Sequence, residues 1–436
     1  LPENLKVLVW GTAEQGACAY YRGWAFDSLL LDLGIEQRHL TGLQPQRKPG
    51  WEGKEIAREQ IAEAIEMDAQ GRVQYDISPV EWADIVVFRR YYNTSYACAG
   101  QGFRAVPGAE ELGCGFLTKN GDEALAHPHG AKYQDSLTNE MWPLFRDSWT
   151  GGIIYETDDL HISHGVQKWN GYWKAANLER PLIEDMARRA DLLTVATPML
   201  ATHYGRYNPR IRVIRNAIDP DLYRCDTPRP DGTKPRLVYY GSTARMRDYA
   251  GQYVTGDPKD GKGYAFRAVQ ENRNLLTRVF YGTNPGTEEI IEKLFDEHHP
   301  YVVGIEAFAK ALTNSHGDIG IAPLGGDEFD RCKSELHWLE YAITGQAFIG
   351  ERYNGDGPYQ VVRDGVDGLL ARGAQEWYDS VKKLAKSKDL REQLAGAAKE
   401  RVIADYSLKV RAQEWADAYR WVAENAGIGK KQAVAA

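Results

Sequence analysis

The sequence predicts an α/β protein of two domains in tandem, each built on a mostly parallel sheet with helices on both faces. Three observations predict it. Short continuous apolar runs alternate with segments of helical period, the pattern of parallel strands buried on both sides. The alternation halts at a polar stretch, residues 226–234 (D-T-P-R-P-D-G-T-K), and then restarts. The length, 436 residues, gives room for two or three cores at about 100–200 residues each.

In the first half, residues 6–10 (K-V-L-V-W) form an apolar strand, 11–16 a small turn, and 20–33 a helical pattern ended by Gly34. Residues 56–68 read as an amphipathic helix with Ile56, Ile61, Ala64 and Ile65 near one face. Residues 84–88 (D-I-V-V-F) read as a buried strand, whereas 91–134 are glycine-rich and aperiodic, as in a functional loop or an insertion. Strands at 152–156, 191–195 and 211–214 follow, with a helix at 180–189. In the second half the strands are 237–240, 278–282, 318–324 and 347–350, with a helix at 333–344. Residues 245–277 read as an insertion carrying the flexible run 255–263. The chain closes with helices, the last at 412–424, and a tail. The expected domains are therefore 1–216 and 217–411, with 412–436 as a terminal helix and tail.

Composition narrows the function classes. Apolar residues make up 43% and charged residues 26%, which is ordinary for a globular chain and excludes extended disorder. No apolar run approaches the ~18–20 residues of a membrane span. The formal net charge is −8 and neither half is basic, which disfavours binding through a phosphate backbone. The five cysteines (18, 98, 114, 225, 332) form no C-x-x-C pair and read as scattered thiols of a reducing compartment. With the first strand at residue 6, a cytoplasmic location is the expectation.

The most informative stretch runs from 318 to 350: a strand, the loop P-L-G-G-D-E-F-D-R, a helix, Gly345 and another strand. Ligands of open parallel sheets sit where strand ends meet helix N-termini, and such a terminus suits a phosphate. Lys333 and Ser334 are expected in the first turn, adding a cation and a hydroxyl. Glu340 follows two turns later on the same face, about 10 Å along, placed for ribose hydroxyls. Spacing alone equally allows a capping Asp330, a solvated Lys333 and a surface Glu340. Asp158 and Asp159 follow the strand 152–156; by themselves they read as a D-x-D-like cation site or as a simple cap. G-T-A-E-Q-G (11–16) lacks dinucleotide-binding spacing and reads as a turn ahead of a helix, with Gly16 at its end and Arg22 beyond it. The run F-R-R-Y-Y (88–92) offers Arg89, Arg90 and Tyr91 for stacking on a sugar or base. The histidine pairs 127/129 and 161/164 have no zinc-binding context, so no metal ligand is expected.

The segments I-I-Y-E-T-D-D-L (153–160), A-D-L-L-T-V-A-T-P-M-L (190–200), V-I-R-N-A-I-D (213–219), V-Y-Y-G-S-T-A-R-M-R-D (238–248) and D-I-G-I-A-P-L…F-D-R-C-K-S-E-L-H-W-L-E-Y-A-I-T-G-Q-A-F-I-G (318–350), in this order, resemble retaining glycosyltransferases of the GT-B fold, family 4-like. The resemblance implies two Rossmann-like domains facing a central cleft, the first binding the acceptor and the second a UDP- or GDP-sugar. It implies transfer to a hydroxyl with retention and without a metal or other cofactor. Gly241, Ser242, Ser334, Glu335 and Glu340 would bind the donor; Asp158, Arg245 and Lys333 would serve catalysis. Gly16, Arg22, Asp159, Arg89, Arg90 and Tyr91 would lie on the acceptor side. The chain departs from the family where Cys332 stands in place of a second Glu and Ser242 in place of a basic residue, so Arg245 or Lys333 takes the basic role. Transfer to a hydroxymethylated DNA base, and a nucleotide-sugar epimerase or non-catalytic binder on the same fold, are the competing readings.

Overall fold

The computed structural model describes residues 4–10, 17–40, 46, 48–50, 61–64, 66, 78–89, 149–162, 180–229, 234–241, 245–256, 262–283 and 288–426. Two six-stranded sheets carry the fold. The first has the order β2-β1-β3-β4-β5-β6, with β1 Leu5–Trp10, β2 Ile35–Leu40, β3 Ile85–Arg89, β4 Gly152–Thr157, β5 Leu192–Val195 and β6 Ile211–Val213. The second has the order β12-β11-β10-β7-β8-β9, with β7 Arg236–Tyr240, β8 Thr277–Thr283, β9 Glu297–Pro300, β10 Ile319–Ala322, β11 Ala347–Glu351 and β12 Leu369–Ala371. Every pairing in both sheets is parallel. Parallel strands need covered faces, and the central strands β4, β5 and β10 are buried along their whole length.

In each sheet the chain reverses direction at one point. β1 lies between β2 and β3, and β7 lies between β8 and β10. At such a switch the loops leave to opposite sides and open a crevice at the carboxyl ends of the strands. The second crevice is thus flanked by the residues after β7 and after β10, which carry Gly241, Arg245 and the 323–335 segment.

Several expectations are corrected. The 20–33 helix is broken: Ala17–Arg22 and Asp27–Asp32 flank a short 3₁₀ turn, Trp24–Phe26, after Gly23 (φ −139°, ψ −103°). The 245–277 stretch is no insertion but the crossover between β7 and β8, with helices Met246–Ala250, Gln252–Thr255 and Tyr264–Glu271. Met246, Tyr249, Ala265, Ala268 and Val269 pack into the same core as Leu237, Phe280 and Ile319. Short helices separated by glycines hide a 3.6-residue period from any window long enough to measure it. The helix expected at 333–344 starts later, as Leu336–Ile343, and is the second of two pieces, the first being a separate short helix, Glu328–Arg331. The Asp327 side chain accepts from the Asp330 N–H and caps the first piece. Lys333 and Ser334 therefore lie in the link ahead of the second helix, not in its first turn.

The long final helix, Leu408–Asn425, returns to the first sheet. Trp415, Tyr419 and Val422 pack with Val7, Val9, Ile85 and Ile154. No helix among the described residues is long and apolar enough to cross a membrane.

Candidate active site

The second crevice is built on close backbone contact. Gly241 (φ +155°) ends β7, and a Cβ there would lie 3.1 Å from Arg245 Cβ and Cγ. Gly282 (φ +139°), near the end of β8, would drive a Cβ to 1.7 Å from the Gly241 carbonyl oxygen. Only glycine suits that pair of positions.

Helix Leu336–Ile343 is seated on the sheet by Tyr341, whose hydroxyl donates to the carbonyl oxygens of Val238 (3.1 Å) and Ile321 (3.3 Å). A Cβ on Gly320 would fall 2.2 Å from the Tyr341 ring, so a glycine in β10 makes room for it. This seating brings Glu340 beneath β7. Its carboxylate is 2% exposed and accepts from the Tyr240 hydroxyl and from Tyr223. Tyr223 in turn shares a hydrogen bond with Tyr21 of the first domain. Burial pushes the Glu340 carboxyl up to about 8. His337 stacks against Tyr240, with ring centroids 4.6 Å apart, and burial, with Arg245 and Lys333 nearby, lowers it to about 3. It is a neutral imidazole in this crevice. Tyr240 and His337 carried no signal in the sequence, because an aromatic at a strand end and a histidine on a helix are ordinary.

Arg245 is engaged by two carboxylates: Nη1 lies 2.7 Å from Asp248 Oδ2 and 3.3 Å from Asp330 Oδ1. Asp330 Oδ2 also accepts the Gly325 N–H at 3.0 Å. Burial and the adjacent Asp330 raise the Asp248 carboxyl. Lys333 points the other way. Its Nζ lies 2.5 Å from Asp159 Oδ1 across the domain boundary and 4.2 Å from the centre of the Phe329 ring. Ser334 Oγ accepts from Asn216 Nδ2 at 2.8 Å, and Glu335 Oε2 from Arg215 Nη1 at 3.0 Å. Burial raises the Glu335 carboxyl, and its Oε1 has no hydrogen-bond partner. Cys332 is buried, its thiol pushed up to about 12 by burial, and so is unreactive.

Of the other candidates, Asp158 and Asp159 sit buried just beyond β4, and Asp159 reaches this crevice through its pair with Lys333. Arg22 and Arg89 are brought together, but around Glu156: Arg22 Nε donates to Glu156 Oε1, and Arg89 Nε donates to Oε2 at 3.0 Å. Both are 2% exposed. Glu156, at 0%, was missed from the sequence, where it is one polar residue inside a strand. Gly16, Arg90, Tyr91 and Ser242 lie outside the described residues, as do 91–134. Among the described residues no group of three or more His, Cys, Asp or Glu side chains is placed to hold a metal ion.

Because Glu340 holds its proton more tightly folded (about 8) than an ordinary glutamate at 4.5, its contribution to stability is lost as pH rises from 4.5 through 8. Glu340→Gln cannot ionise. Its melting temperature relative to wild type should therefore be higher at pH 9 than at pH 5 in paired thermal scans. An equal difference at both pH values would show that Glu340 does not titrate in this range.

Two Rossmann-like sheets whose carboxyl ends face each other, tied by Asp159–Lys333 and Asn216–Ser334, define the GT-B fold. Among solved structures of that fold, the chain is similar to a sucrose-phosphate synthase from Thermosynechococcus elongatus (TM-score 0.56, 13% identity, covering 96% of this chain and 99% of that one). It is similar also to HepE of Anabaena in complex with UDP and glucose (0.52, 12%, 95% and 99%) and to a glycosyltransferase from Rickettsia africae (0.52, 12%, 98% and 100%). No family model and no curated protein sequence matches the chain.

Proposed function

We propose that this protein is a retaining glycosyltransferase that moves a sugar from a nucleotide-sugar, in the first instance a UDP-sugar, to a hydroxyl acceptor without a divalent metal. The observation that carries the reading is the crevice at the switch point of the second sheet. There a glycine-lined strand end, a lysine, a serine and a buried carboxylate meet at the start of a helix. Residues 217–411 would hold the donor, residues 1–216 the acceptor, and the segment from 412 on, most of helix Leu408–Asn425, would brace the acceptor domain. The nucleotide assignment leans on the Anabaena neighbour, whose structure holds UDP and glucose.

In this reading the diphosphate rests at the N-terminus of Leu336–Ile343, where N–H groups and the positive end of the helix dipole favour an anion. Asn216 donates to Ser334 Oγ, which leaves the serine hydrogen to donate to a phosphate oxygen. Glu340 takes the ribose hydroxyls in exchange for its tyrosine partners. As the anomeric C–O bond breaks, charge builds on the leaving diphosphate, and Lys333 stabilises it. The acceptor oxygen bonds to the anomeric carbon from the same face, and its proton passes to a diphosphate oxygen. Asp158 contacts the donor sugar or the attacking hydroxyl. Arg245 holds the Gly241 loop through Asp248 and Asp330.

Calorimetric titration with UDP, GDP and ADP, with and without EDTA, tests this. The expected result is binding of UDP, indifferent to EDTA and about 3- to 10-fold weaker in Glu340→Ala, the worth of one hydrogen bond between neutral groups. Binding of none of the three would overturn the donor site, and binding that EDTA abolishes would overturn metal independence.

A further inference from the structure

Residues 332–335 form the link between the two helix pieces, and each is held from the first domain or from the connector that follows β6. The Thr197 hydroxyl donates to the Cys332 carbonyl oxygen at 3.2 Å, Asp159 pairs with Lys333, Asn216 bonds Ser334, and Arg215 pairs with Glu335. This is the segment that, in the proposed function, receives the diphosphate. We infer that Asp159 is a positioning residue that stands in for the donor's phosphate: its carboxylate occupies Lys333 in the ligand-free protein and gives it up when a diphosphate arrives. The inference rests on the donor site proposed above.

Three features support it. Asp159 is well placed to act as a fixed anion: its carbonyl accepts from the Thr157 and Tyr204 hydroxyls at 2.9 and 3.2 Å, and its N–H donates to Thr157 Oγ1 at 3.3 Å. The pair is shielded, with side-chain exposures of 17% for Lys333 and 6% for Asp159, so its charges are little screened. A carboxylate and a diphosphate seek the same cation and repel each other in such surroundings. A diphosphate that takes Lys333 therefore loosens an interdomain tie and turns the Asp159 carboxylate over to the acceptor side.

The test is calorimetric titration of wild type, Asp159→Asn, Asp158→Asn and Lys333→Met with inorganic pyrophosphate and with UDP. Asp159→Asn keeps the side chain's shape, and should bind pyrophosphate about 3- to 10-fold more tightly than wild type. Asp158→Asn carries the same change of net charge one residue away and should gain less; Lys333→Met should bind more weakly. The placeholder role is overturned if Asp159→Asn binds pyrophosphate no better than wild type, or no better than Asp158→Asn. The nucleotide reading is separated by the UDP arm: the same order of affinities with pyrophosphate but no preference for UDP would sink the UDP assignment and leave the placeholder standing.

Discussion

Glu156→Gln is expected to lower the free energy of unfolding by about 3–5 kcal/mol, the usual cost of removing one partner from a buried ion pair. Glu156 is fully buried and lies between two guanidinium groups that are nearly so. Arg22 is held further by the Ile214 carbonyl oxygen at 2.7 Å and by Asn216 Oδ1 at 3.3 Å, and lies 5.4 Å from the centre of the Trp415 ring. Glutamine would keep the shape but remove the negative charge, and its amide would turn a donor toward one of the two arginines. The loss would reach the final helix through Trp415 and the connector through Asn216. Urea unfolding of wild type and variant measures it, and a change below about 1 kcal/mol, the size of a neutral hydrogen bond, would show that the triad contributes little.

Lys333→Met is expected to weaken UDP binding by about 1.5–3 kcal/mol, the worth of a hydrogen bond to a charged group. It should also slow UDP release from a UDP-sugar by about 10²–10³-fold, the loss seen when a donor aimed at developing charge is removed. Methionine keeps an unbranched side chain of nearly the same length, so the change removes the ammonium together with its contact over the Phe329 ring. Arg245 cannot substitute easily, because Asp248 and Asp330 hold it. A variant that releases UDP at the wild-type rate would take Lys333 out of the mechanism.

Much of the fold was legible because its central strands are buried on both faces and therefore read as unbroken apolar runs. I-V-V-F-R, L-L-T-V and I-G-I-A are all strands of the two sheets. Among the edge strands β6 was expected, at 211–214, but β2 and β9 were not legible. β2, I-E-Q-R-H-L, and β9, E-H-H-P, are half exposed and polar, so tertiary pairing alone makes them strands. In the site, the D-D pair, Arg245, Lys333, Ser334 and Glu340 could be singled out as chemistry-bearing groups at strand ends. Their partners could not. Arg22 and Arg89 read as cleft residues until the fold placed them on Glu156, 134 and 67 residues away along the chain. Glu340 could be numbered on a helix face, but its burial under Tyr240 and Tyr223 came from the seating of Tyr341 across Gly320.

The sequence by itself determined the two parallel sheets and the loops in which polar chemistry would gather, since hydrophobic period and turn residues act over a few neighbours. Only the tertiary structure decided which charges meet: Asp159 with Lys333, Asp248 and Asp330 with Arg245, Glu156 with two arginines. Coulomb attraction and burial depend on distance in space, and the fold sets that distance without regard to separation along the chain.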